Sequence, residues 1–382
     1  MTSSSAVPGT VAPSSPASSF PILTRSPPCG MITVMDDGAA PLRLGYSVGY
    51  WSAGPPPGAA EAVRLADELG LDSVWTAEAY GSDALTPLAW WGASTRHVRL
   101  GTAVAQMAAR TPTATAMAAL TLDHLSGGRF VLGLGASGPQ VVEGWYGQPY
   151  PRPLERTREY VDVVRQVLRR DAPVHLDGRH YRLPYPGGQG KALRPTVHPL
   201  RPDLPVHLAA QGPRNTALAA EIADGWLPTF FAPRTSDAAA ELLAEGFARR
   251  SAHLAPPAAF EICAGAPVAL GSDVEAAADT LRPMFALYIG GMGSSTANFH
   301  RAALERLGHE AACAEVSRRW AAGDRAGAAA AVPTDLVLDV ALAGSPAQLR
   351  EQLGAWERSV VTTLVIQTDA RALGPVVAAL RG

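Results

Sequence analysis

The 382-residue chain is 47% hydrophobic and 17% charged, which supplies apolar surface for a large core and too little like charge to keep it unfolded. A formal net charge of −2, with no dense Lys/Arg cluster interleaved with aromatics, lacks the electrostatic footprint of a nucleic-acid binder. No apolar run reaches the roughly 18 residues that a membrane-spanning helix needs, and Cys29, Cys263 and Cys313 are too scattered for a disulfide framework or a zinc site.

Residues 1–40 are dominated by Ser, Pro and Ala, have no basic start followed by an apolar stretch, and are expected to be a disordered tail and not a secretory signal. Met31 and Met35 are plausible alternative starts. Reduced thiols and the missing signal together suggest a cytoplasmic protein. From Leu42 onward, short apolar runs alternate with amphipathic stretches. "LRLGYSV" reads as a strand, and "GAAEAVRLADELG" places Ala62, Leu65, Ala66 and Leu69 on one helical face. The strand "LDSVWTA" ends in Glu78 and precedes a helix around "LTPLAWWGAST". The strand "VRLGTAV" leads to a helix with Pro112 near its first turn, and then to the strand "RFVLGLG".

The rhythm breaks at 138–152 and resumes with the helix "LERTREYVDVVRQVLRR". It breaks again over 173–204, where Asp177-Gly178 signals a hairpin and a Gly/Pro-rich loop follows. "PVHLAA" and "WLPTF" are the next strands, and "AFEICAGAPVALG" is a seventh, longer than the rest. A Gly/Ala-rich helical excursion, about 288–332, precedes "TDLVLDVALAG"; the strand "VTTLVIQT" and a last helix close the pattern. About eight strands, each followed by a helix, imply parallel pairing and fit a closed (β/α)8 TIM barrel with insertions over 41–382. An open doubly wound sheet is the alternative. Gly133, Gly135 and Gly138 do match G-x-G-x-x-G, but in the fourth β-α unit and with Pro139 directly behind, where a dinucleotide fingerprint should open the first.

In a barrel, the C-terminal strand ends build the site. Gly135, Ser137 and Gly138 can present backbone amides to an anion, and Gln211, Gly212 and Pro213 offer the same before a helix. Two such cradles suggest a phosphorylated cofactor, although either loop alone reads better as a tight turn. Glu78, at the end of an apolar run, could have a raised pKa and act as acid or base; Asp83 reads better as a helix cap, and the mid-strand His207 as structural. No G-x-S-x-G elbow and no Cys/His arrangement speaks for a hydrolase, which favours a cofactor doing the difficult chemistry.

The stretches "GLDSVWTAEAYGSDALTPLA", "VRLGTAVAQMAARTPTATAMAALTLDHLSGGRFVLGLGASGPQVVEGWYG" and "AAQGPRNTALAAEIADGWLP" resemble the luciferase-like barrel superfamily. In particular the chain is similar to its flavin- or coenzyme F420-dependent oxidoreductases of the methylenetetrahydromethanopterin reductase type. The resemblance implies a non-proline cis peptide between Ala103 and Val104 behind the cofactor ring, Gln106 at the ring's pyrimidine end, phosphate or ribityl contacts from Ser137 and Gly138, and a second phosphate loop at Ala210–Arg214. Glu78 matches an acidic position that many alcohol-oxidising relatives follow with His; here Ala79 follows. The departure favours reduction of a C=N or C=C bond of a small molecule, with coenzyme F420 as hydride source and Glu78 or Tyr80 managing a proton. The rivals are an FMN-dependent monooxygenase and a non-catalytic flavin-binding barrel. The resemblance also implies a homodimer.

Overall fold

Short runs of apolar and β-branched residues form eight barrel strands: β1 (Arg43–Ser47), β2 (Ser73–Thr76), β3 (Arg99–Thr102), β4 (Phe130–Gly135), β5 (Val206–Ala209), β6 (Gly225–Leu227), β7 (Glu261–Leu270) and β8 (Thr363–Gln367). The computed structural model describes residues 41–293 and 298–382; the expected tail, 1–40, lies outside the described residues. All pairings between these strands are parallel. The order runs β1 to β7 in sequence, and β8 bridges β7 and β1, so the sheet closes on itself. Every residue of β2 and β4 is buried, as expected of strands covered by side chains inside the barrel and helices outside. Trp75, Val131, Leu227, Cys263 and Val365 pack inside, while Val74, Leu100, Leu132 and Val206 face the helices.

The helix Pro112–Ser126 starts on the Thr111 hydroxyl with Pro112 in its first turn and stops at Gly127, whose φ of 66° is left-handed. Asp83 Oδ1 accepts the Leu85 and Thr86 amides at 2.9 and 2.7 Å, which caps the helix Leu85–Gly92. Leu176–Asp177 and Arg182–Leu183 form the hairpin. Its turn is held by Glu159, whose carboxylate accepts the amides of Arg179, His180 and Tyr181.

The excursion between β7 and β8 is larger than its Gly/Ala-rich stretch suggests. Leu287–Gly291 continues the helix Val274–Ala286 as a π turn; Phe299–Glu305, Glu310–Ala321, Arg325–Ala330 and Thr334–Val340 follow. They share a core of their own with Phe230, Phe285, Ile289, Leu304, Val316 and Leu336. "TDLVLDV" is thus helical, with Leu336, Val337 and Val340 buried on one face. Only Leu342–Gly344 is extended, pairing with the far end of β7 outside the closed ring.

The starting ends of the strands are tied by charge. Glu261 accepts from Arg43 at 2.5 Å and Arg99 at 2.9 Å, Arg99 also bonds Asp72 at 2.7 Å, and His207 Nε2 lies 3.2 Å from Glu261. Burial opposes the Glu261 charge, but the His207 and Arg99 bonds outweigh it and hold the carboxyl well below the usual carboxylate range. Beside this network, burial pushes the Cys263 thiol up to about 12.

Candidate functional site

At the opposite end of the barrel, β3 stops at Thr102 and the chain makes a bulge. The Ala103–Val104 peptide is cis, and Ala105–Gln106 then resumes pairing beside Leu134 and Gly135. This bulge explains the small residues of β4. A Cβ on Gly133 would stand 1.8 Å from the Thr102 carbonyl oxygen, and one on Gly135 would stand 2.5 Å from a Val104 methyl. The protein's own neighbouring strand thus occupies the space beside these two glycines.

Above the bulge opens a cleft of about 430 Å³. Glu78 and Tyr80 from the end of β2 line it, with Ala103, Val104 and Gln106 from the bulge. Gly135, Ser137 and Gly138 from β4, and Ala210, Gln211 and Gly212 from β5, complete that wall. Four strand ends far apart in sequence thus meet in one concave surface.

Glu78 is 6% exposed, and both of its oxygens are engaged. Arg110 forks onto the carboxylate with two bonds of 2.9 Å, and Oε2 also accepts the Gln106 amide at 2.8 Å. Burial opposes the charge on Arg110, but Glu78 more than offsets this and holds the guanidinium above its ordinary value. The sequence expectation treated Glu78 as a carboxylate in a partly apolar mouth; the fork from Arg110 was not foreseen. Tyr80, by contrast, is 64% exposed and lines the cleft.

Gln106 donates its Nε2 to the carbonyls of Glu78 and Ala79 at 2.8 and 3.2 Å, which fixes the orientation of the amide. Its Oε1 is therefore turned away from those carbonyls, buried and without a partner. Such an orphan acceptor in a cleft wall is a place for a ligand's N–H or O–H group. Gln211 carries a second buried oxygen of the same kind, while its Nε2 lies 3.3 Å from His300 Nδ1 and its carbonyl accepts from Arg306 at 2.8 Å.

The two anion cradles are unequal. Ser137 is left-handed at φ 58°, its carbonyl accepts from Tyr150, and Gly138 lies 3.0 Å, by its virtual Cβ, from the Phe299 ring; only a four-residue helix follows. Gly212 starts the ten-residue helix Pro213–Ile222 with no side-chain cap, and a Cβ there would meet nothing within 4 Å. An uncapped helix start, a helix dipole and open space coincide at Gly212.

Sequence reasoning missed Arg110 and everything that the excursion contributes. Phe299 and His300 line the cleft from the start of the helix Phe299–Glu305, and Tyr288 packs edge-on against the His300 ring. Burial pushes the His300 imidazole down to about 4, so it is neutral near pH 7. No local motif marks these residues; their proximity arises only when β7 and its insertion fold over the mouth.

A closed parallel barrel with a bulged third strand and a cleft at its C-terminal mouth defines a luciferase-like barrel. The family model for luciferase-like monooxygenases matches residues 40–363, and the chain belongs to that family. Among relatives, it is 54% identical over 331 residues to a Mycobacterium tuberculosis protein provisionally named coenzyme F420-dependent oxidoreductase Rv3520c, covering 86% of this chain and 95% of the relative. It is 28% identical over 304 residues to the 5,10-methylenetetrahydromethanopterin reductase of Archaeoglobus fulgidus, covering 79% and 87%. The solved coenzyme F420-dependent tetrahydromethanopterin reductase of Methanopyrus kandleri has the same fold, with a TM-score of 0.73 at 22% identity over 87% of this chain and 96% of that one.

Proposed function

We propose that the protein is an oxidoreductase that binds coenzyme F420 in the cleft and uses it to reduce a C=N or C=C bond of a small organic substrate. The observation that carries this reading is the orphaned Gln106 Oε1. A deazaflavin or flavin ring presents an N–H between two carbonyls on its pyrimidine edge, and this buried acceptor suits that donor. The Ala103–Val104 bulge would back the ring, and the uncapped helix start at Gly212 would hold a negatively charged tail. When bound, the reduced deazaflavin supplies hydride; the chain's own residues bind, orient and handle the proton.

Within this reading Glu78 acts as a positioning residue. With Arg110 on both oxygens and the Gln106 amide on one, it has little capacity left to move a proton, and it fixes Gln106 and the bulge instead. Tyr80, exposed in the mouth, is the candidate proton donor. The position after Glu78 supports reduction, since Ala79 cannot serve as a base in alcohol oxidation.

Titration with F420 and with FMN, each reduced, while dissolved oxygen is monitored, tests the reading. Tight F420 binding without oxygen uptake is expected, because a ring with carbon at position 5 forms no ready oxygen adduct. Tight FMN binding with oxygen consumption would install the monooxygenase instead, and binding of a flavin with no turnover from any donor would install the non-catalytic barrel.

A further inference from the structure

The described residues that line the cleft offer a ligand no unneutralised charge. Neither Lys, Arg nor Asp is among them, and the one carboxylate, Glu78, is spent on Arg110. Arg110 in turn is committed to Glu78 and lies 3.8 Å from Asp83. The one imidazole, His300, is neutral because burial disfavours its cation. Arg306, which donates to the Gln211 carbonyl, stands on the Gly212 side, where a cofactor's anionic tail would end. In the same lining, Tyr50, Tyr80 and Phe299 keep 47%, 64% and 42% of their surface exposed, and Met292, Val141 and Leu154 add further apolar surface. Large apolar rings left facing water at the mouth of a cleft are surface that an apolar ligand can cover.

Resting on the F420 reading above, we propose that the substrate is an uncharged, apolar or aromatic compound, and that phosphorylated and carboxylated molecules are excluded from the reacting position. A carboxylate or phosphate set there would lose hydration without gaining a cation, whereas an ester, imine or ketone gives up little. Discrimination of this kind comes from the missing partner, not from a repulsive group. The reduction balances with the groups named: the substrate's double bond gains one hydride from the reduced deazaflavin and one proton from Tyr80, the proton released by the cofactor as it is oxidised by two electrons passes to water, and water returns a proton to Tyr80.

Methyl cinnamate and cinnamate, alike in size but differing in charge beside the double bond, test the proposal by titration calorimetry, with glucose 6-phosphate as a third probe. The titrations are run on the protein alone and on the protein saturated with F420, whose binding is followed separately by quenching of its fluorescence. Failure of F420 to bind would sink the cofactor reading, while the calorimetry still decides the substrate class. Methyl cinnamate is expected to bind at least tenfold more tightly than either anion. Equal or tighter binding of cinnamate or glucose 6-phosphate, or no binding of methyl cinnamate, overturns the proposal. Met292→Lys adds a cation to the cleft wall and is expected to move the ester-to-acid ratio at least tenfold toward cinnamate; an unmoved ratio places the substrate elsewhere and also overturns it.

Discussion

Replacing Glu78 by Gln separates a positioning carboxylate from a catalytic one. The substitution keeps the shape and removes the charge that Arg110 and the Gln106 amide both address. Removing one partner of a fully buried pair costs ~3–5 kcal/mol, because the remaining charge is left without compensation. Here the Arg110 side chain is 23% exposed and Asp83 lies 3.8 Å from it, so water and a second carboxylate recover part of that loss. The expected destabilisation is about 2–3 kcal/mol after this discount, read from the urea midpoint at constant slope. Loss of the Oε2 acceptor also frees the Gln106 amide, and F420 affinity should fall about tenfold, roughly 1.4 kcal/mol. Arg110→Met should reproduce both effects, and the double variant should cost clearly less than the sum of the singles, because both changes delete one interaction. Unfolding free energy within about 0.5 kcal/mol of wild type, with unchanged F420 affinity and turnover down a hundredfold or more, would refute the positioning role and restore Glu78 as a proton-transfer group.

Three further outcomes are expected. Gly133→Ala forces a methyl to within 1.8 Å of the Thr102 carbonyl, where no side chain can yield, and should destabilise by at least ~3 kcal/mol or prevent soluble expression; Gly212→Ala, with open space around the added methyl, should keep its urea midpoint yet weaken F420 binding. The depressed His300 value means that the unfolded chain binds a proton which the folded one refuses between about pH 4 and 6.5. That contribution is therefore whole above the imidazole's ordinary range and lost as pH falls toward 4, and the stability difference between wild type and His300→Gln should shrink over that window in denaturation curves at stepped pH. Burial raises Cys263 to about 12 and Cys313 to about 11, so both thiols should resist a disulfide reagent at pH 8 until the protein is unfolded, as counted by mass spectrometry of tryptic peptides.

Several of these positions were visible before any coordinates, and the reason differs in each case. The β-α alternation is written in local periodicity, and eight such units leave closure as the economical parallel arrangement. Asp83 as a cap follows from its place just before Leu85, and the cis peptide at Ala103–Val104 came from likeness to a family, since spacing and composition say nothing about peptide isomers. The strand ends Glu78, Gln106, Ser137 and Gly212 were legible as a set because barrel geometry puts successive C-terminal ends around one mouth. Gly133 and Gly135 show the limit of a local reading: a glycine shows that something comes close, without saying whether it is ligand or a neighbouring strand.

What the sequence determined by itself is the architecture and the ring of positions that face the mouth, because those depend on patterns repeated within ten or twenty residues. Tertiary structure alone decided the electrical state of that ring. Arg110 reaches Glu78 across 32 residues, His300 approaches Gln211 across 89, and the starting-end network joins Arg43 to Glu261 across 218. Charge and hydrogen bonding act through distance in space, and in a closed barrel distance along the chain gives almost no measure of it.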